Sequence, residues 1–443
     1  NNFFAIAGLD YKDRYILDGM YRRDESSLFG SNFRTNDYYR VSGAYRISQD
    51  FDIPGVQELK IHAAMGTAGQ RPSYAWQYTR RNIGSGIPST SQTVGNPELR
   101  PSKSTEKEVG LNADFLDRFS LEVVYSDMKT EDQFMLVDLF APANEGANQY
   151  QNVGTVTSNT LELVLDANIV NTKDFSWNTG VVFSTTNNTI ESLNINPRIQ
   201  GPGNGQMFRL EEGLEYGTMF GRDFVRSLDI MAAQLPAGAS ISDYVVNSDG
   251  VVVDASTIGT KYESGIIREN EDGSVWVGDI GNQTADFNLG LRNTISYKNF
   301  DFYMLWDWKQ GGDLYNRNGQ WLTRDNRHEM IDQAGKAPGE QKTVSYYQSL
   351  YDVNQNNGYW VEDASFVKLR EASIFYTFDD MEKSFINSLR IGLTGTNLFT
   401  FTNYSGWDPE VQLFDGATSQ YYAVDFGVYP VSTSYTLSVT LKF

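Results

Sequence analysis

The sequence predicts an all-β protein, an antiparallel transmembrane β-barrel, and three observations support this fold class. Apolar and polar side chains alternate along many segments, which is typical of strands with one apolar face. The segments are about ten residues long, the length that a tilted strand needs to cross a bilayer. The connections between them are alternately short and long, as in outer-membrane barrels. The stretch 433–443 alternates most strictly, with these side chains on its apolar face: Tyr435, Leu437, Val439, Leu441 and Phe443.

The composition of the 443-residue chain excludes several other classes of protein. The chain has no cysteine, which excludes disulfide frameworks and thiolate metal sites. Its two histidines, His62 and His328, are too few for most zinc or haem chemistry, so we predict no cofactor and no metal site. The net charge of −20 argues against a nucleic-acid partner, because a phosphate backbone requires a basic surface.

Hydropathy is compatible with a membrane location. The chain has no run of about 18 apolar residues, so no spanning helix is predicted. Its mean hydropathy of −0.44 would suit a soluble protein, but membrane barrels score similarly because half of each strand is polar. The sequence opens on Asn1, Asn2, Phe3 and Phe4, without the pattern of a signal peptide, as if inside a domain.

About thirteen strands are predicted, in hairpins that turn at short polar segments such as 12–14 and 298–299. A further extended segment is predicted at 207–227. The thirteen strands are predicted at 3–10, 15–21, 38–48, 59–67, 105–115, 119–132, 160–170, 175–183, 284–297, 300–310, 365–378, 389–399 and 433–443.

Two of these strands carry particular expectations. Strand 300–310 places five large apolar side chains on one face, which favours a lipid-facing surface with interfacial tryptophans. The alternative is a core strand of a soluble sandwich. These side chains are Phe300, Phe302, Met304, Trp306 and Trp308. Strand 365–378 keeps one apolar face only if a residue near Glu371 is bulged.

The other connections are long and polar. A charged loop is predicted at 22–30. Soluble compact domains rarely contain a loop as long as the one predicted at 68–104. A small hairpin is expected around 250–253 within the acidic insertion 228–281. The remaining long loops are predicted at 68–104, 194–205 and 311–358.

Six stretches, in order and across nearly the whole chain, resemble the SusC/RagA family of TonB-linked outer-membrane transporters. They read YKDRYIL with RRDESSLFG (11–17, 22–30), LKI with GTAGQ (59–61, 66–70), GNPELRP (95–101), GGDLYN (311–316), WVEDASFVKLR (360–370), and TGTNLFTFT with GWDPE (394–402, 406–410). One such stretch would be weak, but six in order are a strong resemblance.

The resemblance implies a fold and a set of partners. Members are plugged barrels of 22 strands, energised by TonB and usually capped by a SusD-like surface lipoprotein. Residues 1–443 would be the C-terminal portion of the barrel, about 13 of the 22 strands. The plug, the N-terminal sandwich domain and the TonB box are not seen in this chain, and TonB would act through that missing region. A dimer of transporter–lid pairs is also compatible with the family.

Aromatic residues of the long loops are the candidate substrate-binding groups. Such rings stack on sugar faces or on peptide side chains. The alternative for each is packing within a loop or a place in an interfacial belt. The seven candidates are Trp321, Tyr346, Tyr347, Tyr351, Tyr359, Trp360 and Trp407.

The sequence gives no support to an enzyme. It contains no GxSxG, HExxH or P-loop motif. Glu362 with Asp363, and Asp408 with Glu410, are the carboxylate pairs that a glycoside hydrolase could use. Adjacent strand residues point to opposite faces, and the second pair lies in a turn opened by Asp-Pro. Asp272 lies in a weakly calcium-like stretch, 269–273, that lacks the full EF-hand spacing.

The function predicted from the resemblance is TonB-energised import of oligosaccharides or peptides across the bacterial outer membrane. The ligand would be captured between the barrel loops and the SusD-like lid, and this chain would supply the lumen wall and part of the ligand cup. A secreted all-β glycan-binding module and a glycoside hydrolase are the alternatives. Aromatic loop residues suit glycans and peptides about equally, so the sequence does not identify the substrate.

Overall fold

The structure is a computed structural model, and it describes residues 1–27, 33–79, 83–84, 87–88, 93–139, 148–203, 205–351, 357–379, 386–416 and 420–443. Residues 28–30 of the predicted charged loop 22–30 lie outside the described residues. The helices among the described residues are all too short or too polar to span a membrane.

Thirteen long antiparallel strands form one continuous sheet, which we call the wall. Each strand pairs with its neighbours in chain order, as predicted, and the ends β1 and β13 are not paired with each other in the described part of the chain. The strands are β1 Asn2–Tyr11, β2 Tyr15–Glu25, β3 Thr35–Arg46, β4 Val56–Gln70, β5 Ser102–Phe115, β6 Phe119–Asp138, β7 Asn148–Asn171, β8 Phe175–Leu193, β9 Phe287–Tyr297, β10 Phe300–Gln310, β11 Phe366–Phe378, β12 Ser388–Thr402 and β13 Ser434–Lys442.

The strand register aligns the apolar residues of all thirteen strands on one face of the wall. Leu437 pairs with Leu393, which pairs with Ile374, and Ile374 in turn pairs with Phe302. The same row continues through Ile295 of β9 and Trp177 of β8. Further along the wall, Phe119 pairs with Phe115, and Tyr45 pairs with Ile61. A shift of one residue would move each strand's apolar set to the other face, so this register fixes the outer surface.

The apolar side chains of β13 are exposed, as a lipid-facing strand requires. Tyr435 and Leu437 are each 72% exposed and Val439 is 59% exposed. No second sheet covers them in the described part of the chain. The predicted outward apolar face of this strand is therefore confirmed.

Aromatic side chains form a belt on the outer face at the short-turn end of the wall. Neighbouring rings have centroids 4.6–6.5 Å apart, as in the pairs Tyr15–Tyr45, Phe115–Phe119, Phe175–Tyr297 and Phe300–Tyr376. A second group, Phe183, Phe287 and Trp308, lies at the other end. Since β9 runs from Phe287 to Tyr297, the two groups are about 25 Å apart along the barrel axis. That height matches the apolar band of an outer-membrane barrel.

Short turns join the strands at the belt end, and long loops join them at the other end. The short turns 12–14, 116–118 and 298–299 contain residues with positive φ, including Lys12, Leu116 and Lys298. The predicted bulge in β11 is confirmed, because the register shifts between Leu369 and Glu371 against both neighbouring strands of the wall.

Three of the long loops, 194–286, 311–365 and 403–433, contain short elements of their own. The three α-helices are α1 Leu228–Ala233, α2 Arg317–Arg324 and α3 Val344–Leu350. Short strands cover Arg198–Gln200, Phe208–Leu210, Thr218–Gly221, Tyr244–Val246, Val252–Asp254, Gly278–Asn282, Asp313–Tyr315, Val361–Asp363, Leu413–Asp415 and Gln420–Tyr422. Loop 71–101 contributes Ile83–Gly84, Ile87–Pro88 and Thr93–Val94. Single 3-10 turns cover Ile47–Gln49, Tyr74–Gln77, Ile241–Asp243, Ala255–Thr257, Glu329–Ile331 and Gly358–Trp360.

Two expectations need correction. Residues 207–227 do not form one extended strand, because Phe208–Leu210 and Thr218–Gly221 are separate short strands of a small sheet. Strand β7 begins at Asn148, twelve residues before the predicted start at Thr160. The hairpin expected around 250–253 is confirmed by the pairing of Tyr244–Val246 with Val252–Asp254.

The three long loops pack together into one unit, which we call the loop body. Its main core buries Met207, Phe208 and Met219 from the first loop, Leu314, Tyr315 and Trp360 from the second, and Tyr404, Tyr422 and Val424 from the third. A second cluster joins Phe224, Val251 and Val253 to Tyr346, Tyr347 and Leu350. Burial of aromatic and aliphatic groups from separate loops stabilises the loop body as a single unit.

Candidate ligand site

The loop body holds all seven aromatic candidates, but it places them in different environments. Three are buried, with exposed fractions of 1% for Tyr346, 1% for Tyr347 and 3% for Trp360. Three are half-buried, namely Trp321, Tyr351 and Tyr359. The seventh, Trp407, is 77% exposed. The proposal that these rings bind a ligand stays a prediction, and the structure gives most of them contacts within the loop body.

The buried rings also have their polar atoms paired inside the protein. The Trp360 indole N–H donates to the carbonyl of Leu350 at 2.9 Å. The Tyr346 hydroxyl accepts from the Asn247 amide at 2.8 Å, and the Tyr347 hydroxyl accepts from Gln333 at 3.0 Å. Paired polar tips are what buried aromatic residues need to pack in a core.

The half-buried rings lie next to arginines. The Arg324 guanidinium lies 4.1 Å from the centre of the Trp321 indole ring and 5.9 Å from that of Tyr351. The Arg226 guanidinium lies 5.1 Å from the centre of the Tyr359 ring. These are cation–π distances, so the three rings already have protein partners on at least one face.

Trp407 lines a cleft of about 360 Å³ in the loop body. The cleft is bounded by α2 and by the segment around Ser405, and it contains Asn318, His328 and Asp425. An open aromatic face beside hydrogen-bonding groups can stack on a sugar ring or on a peptide side chain. Among the seven candidates, Trp407 is the one that combines an exposed ring with a place in this cleft.

Hydrogen bonds fix the floor of the cleft. The Asn316 side-chain oxygen accepts from the Gly319 N–H at 2.8 Å and so caps the start of α2. The Asn316 amide donates to Glu362 at 2.9 Å and to Ser405 at 3.0 Å. Glu362 also accepts from the Ser405 N–H at 2.7 Å. The segment that carries Trp407 is thus tied to the start of the helix.

The titratable groups of the cleft are shifted mainly by burial. Burial raises the pKa of the Asp425 carboxyl, which accepts hydrogen bonds from Tyr404 at 2.8 Å and from Asn318 at 2.6 Å. Burial also lowers the pKa of the His328 imidazole. Because His328 Nδ1 accepts from the Met330 N–H at 3.2 Å, the neutral ring carries its proton on Nε2, which can act as a hydrogen-bond donor.

A buried charge cluster anchors the Trp407 segment to the inner face of the wall. Lys368 on β11 is 4% exposed, and its ammonium lies 2.7 Å from Asp408 and 2.5 Å from Glu410. Arg370, also on β11, pairs with Glu410 and with Asp307 on β10. These ion pairs could not be predicted from the sequence, because Asp408 and Glu410 lie about forty residues from Lys368 and Arg370 and no local pattern links the two segments.

The charge cluster also determines the ionisation state of Asp408 and Glu410. Burial acts to raise the pKa of Asp408 and of Glu410, but the hydrogen bonds to Lys368 and Arg370 outweigh it. The pKa of each carboxyl is therefore below its ordinary value, and both acids are ionised at neutral pH. A general acid in glycoside hydrolysis requires the opposite shift, a raised pKa.

The other carboxylate pair is also held in hydrogen bonds that stabilise the loop body. Asp363 accepts from the Ser365 N–H at 2.8 Å and from the Ser365 hydroxyl at 2.5 Å, while Glu362 accepts from Ser405. Asp272, in the calcium-like stretch, accepts from the Ser274 N–H at 2.9 Å. Within the described ranges, the structure brings together no group of three or more metal-ligating side chains.

Comparison with known proteins gives consistent matches. Residues 1–265 match the family model described as TonB dependent receptor-like, beta-barrel. A TonB-dependent receptor of Formosa agariphila is 25% identical over 100% of this chain and 46% of its own length. The TonB-dependent receptor SusC of Bacteroides thetaiotaomicron is 23% identical over 100% of this chain and 43% of its own length.

A solved structure of similar fold is the RagAB peptide transporter. It aligns with a TM-score of 0.74 and 21% identity over 100% of this chain and 47% of that one. The chain thus spans about half the length of the curated relatives that it matches.

Proposed function

The chain belongs to the TonB-dependent receptor-like β-barrel family of the bacterial outer membrane, and from this premise we propose that it forms the wall and ligand-gathering loops of a nutrient importer. The imported solute is an oligosaccharide or a peptide, and uptake is energised through TonB. A SusD-like lipoprotein closes over the loop body from outside. The family is one of receptors and transporters rather than of enzymes.

The observation that carries the proposal is the Trp407 cleft in a loop body that is anchored to the inner face of the wall. The outer face is apolar in a continuous register across thirteen strands, which suits lipid. The cleft lies on the long-loop side, where an external solute arrives first. A solute held there would then have to pass along the polar inner face of the wall.

The relatives support the fold rather than the choice of solute. The SusC match is a TonB-dependent receptor, and the solved match is described as a peptide transporter. Both identities are under 25%, so they support the fold, and the solute rests on the cleft itself. Ionised Asp408 and Glu410, held by Lys368 and Arg370, weigh against the hydrolase alternative.

The proposal is tested with the intact transporter purified in detergent and titrated with panels of neutral oligosaccharides and peptides. Trp407→Ala should weaken binding of the preferred solute at least about tenfold, the usual effect of removing an aromatic hot spot. Tyr429→Ala is the matched control, because Tyr429 lies in the same loop, is 91% exposed and does not line the cleft. This control should bind normally.

Uptake by cells and co-purification test the energised step and the lid. Uptake should stop when the proton gradient is dissipated, and a surface lipoprotein should co-purify with the transporter. Mass measurement of that complex decides between one transporter–lid pair and a dimer of pairs. Normal solute binding by Trp407→Ala, or uptake that continues without the gradient, would contradict the proposal.

A further inference from the structure

A second cavity, of about 270 Å³, lies between the loop body and the inner face of the wall. The wall contributes Asn288 and Lys309, which pair across β9 and β10, and the loop body contributes Asp313, Glu410 and Gln412. The same segment lines both cavities, with residues 405–407 at the Trp407 cleft and residues 409–412 at this cavity.

The turn after β10 brings Asp313 into the cavity. Gly311 and Gly312 both have left-handed backbone, with φ of +73° and +75°. A Cβ on Gly311 would lie 2.6 Å from the Asp286 carboxylate, so a larger residue would not fit without a shift. The two glycines thus reverse the chain immediately after the wall strand and bring Asp313 close to Lys309.

Lys309 is a half-buried cation without a direct partner among the residues that the structure describes. Its ammonium makes no hydrogen bond or ion pair with any residue in the described ranges. Three carboxylates act on it through space, but each takes its hydrogen bonds elsewhere: Glu410 from Lys368 and Arg370, Asp313 from the Asn282 N–H, and Asp363 from Ser365. A cation withdrawn from bulk water without a direct acceptor favours a ligand that brings one.

We propose that this cavity receives the C-terminal carboxylate of a peptide, with the Lys309 ammonium as its counter-ion. The inference rests on the proposed import function and narrows its solute to peptides. The side-chain amides of Asn288 and Gln412 each offer a donor and an acceptor, which complement a peptide group. The volume equals that of about nine water molecules, enough for a terminal residue. Capture of a terminal carboxylate is a known mode of peptide recognition.

Charge favours a peptide over an acidic glycan. An acidic polysaccharide repeats its negative charge along the chain, whereas a peptide presents one terminal carboxylate. The chain carries 56 acidic and 36 basic residues, and the cavity itself contains Asp313 and Glu410. Repeated anionic groups would meet these acids at close range, and like charges within an interface oppose binding.

The test compares two probes on the intact, detergent-purified transporter: N-acetyl-penta-alanine with a free C-terminal carboxylate, and the same peptide as its C-terminal amide. The free acid should bind at least about tenfold more tightly, since the amide removes the charge that faces Lys309. Lys309→Gln should abolish this difference. Lys261→Gln, at an exposed loop lysine, is the control that should retain the difference.

The wild-type comparison is decisive even if Lys309→Gln does not fold. Equal binding of acid and amide would overturn the proposal, as would an acid preference that persists in Lys309→Gln. Lys309-dependent binding of tetragalacturonate without binding of the peptide acid would assign the cavity to acidic glycans and overturn it too. If acid and amide bind equally and Trp407→Ala still weakens both, the import function stands and only this site fails. If no peptide or oligosaccharide binds, both fail.

Discussion

The buried charge cluster makes a sharp prediction about Lys368→Met. The substitution removes the cation that pairs with Asp408 at 2.7 Å and with Glu410 at 2.5 Å, in a site where Lys368 and Asp408 are 4% and 5% exposed. Removing one partner of a buried ion pair costs about 3–5 kcal/mol, because the remaining charge is left without compensation. The substitution should therefore release the segment that carries Trp407.

The lower end of this range is expected here, since the two acids keep other donors. Asp408 still accepts from the N–H groups of Glu410 at 3.0 Å and Val431 at 3.3 Å, and Glu410 still pairs with Arg370. A loss of about 3 kcal/mol in local opening free energy corresponds to roughly 100-fold faster exchange of protected amides. The effect should be confined to 403–433, because the wall strands keep their own hydrogen bonds.

Hydrogen exchange of the detergent-purified transporter, read by mass spectrometry, measures this directly. Arg390→Met is the matched control: its pair with Asp301 also lies on the inner face, but the two side chains are 44% and 39% exposed. An exposed pair contributes at most about 1 kcal/mol. Unchanged exchange in 403–433 for Lys368→Met, or an equal effect of Arg390→Met, would refute the assignment of the cluster as the anchor.

Two further predictions concern the loop body. Gly311→Ala should destabilise the loop body by about 1–3 kcal/mol in thermal unfolding, because alanine would have to adopt a left-handed backbone and its Cβ would contact Asp286. Gly339→Ala is the control and should be neutral, because no atom lies within 4 Å of a Cβ at that position. Burial lowers the pKa of His328, so as pH falls this imidazole is protonated in the unfolded chain before it is protonated in the folded protein. The stability of the loop body should therefore fall as pH drops below about 6.5. His328→Gln should remove this step from a stability–pH profile, and a step that persists would contradict the assignment.

The wall was predictable because lipid imposes a simple rule on its outer face. Alternation alone placed β10 at 300–310, and the required bulge near Glu371 was found between Leu369 and Glu371. The prediction failed where strands extend beyond lipid. Residues 148–159 are rich in Asn, Gln, Thr and Ser on both faces, so no apolar period marked the start of β7 at Asn148.

The loop body was much less predictable, because tertiary contacts determine the environment of each ring. Tyr347 and Trp407 are both aromatic residues of long loops, yet Tyr347 is 1% exposed and Trp407 is 77% exposed. The difference depends on packing between loops that are far apart in sequence. Likewise, the sequence shows Lys309 only as a polar residue of an alternating strand. The fold is needed to show that its ammonium has no direct partner in the described part of the chain.

The interlocking of three loops in one core also bears on biogenesis. Met207 and Phe208 emerge from the ribosome more than 190 residues before their core partners Tyr404 and Val424. Until the last of these partners is in place, hydrophobic side chains that are buried in the finished loop body remain exposed to solvent in the periplasm. The loop body can therefore assemble only after nearly the whole chain has been made. Such a step has a high contact order, so it is slow and prone to aggregation. Chaperones that escort the nascent polypeptide would be needed most during that interval.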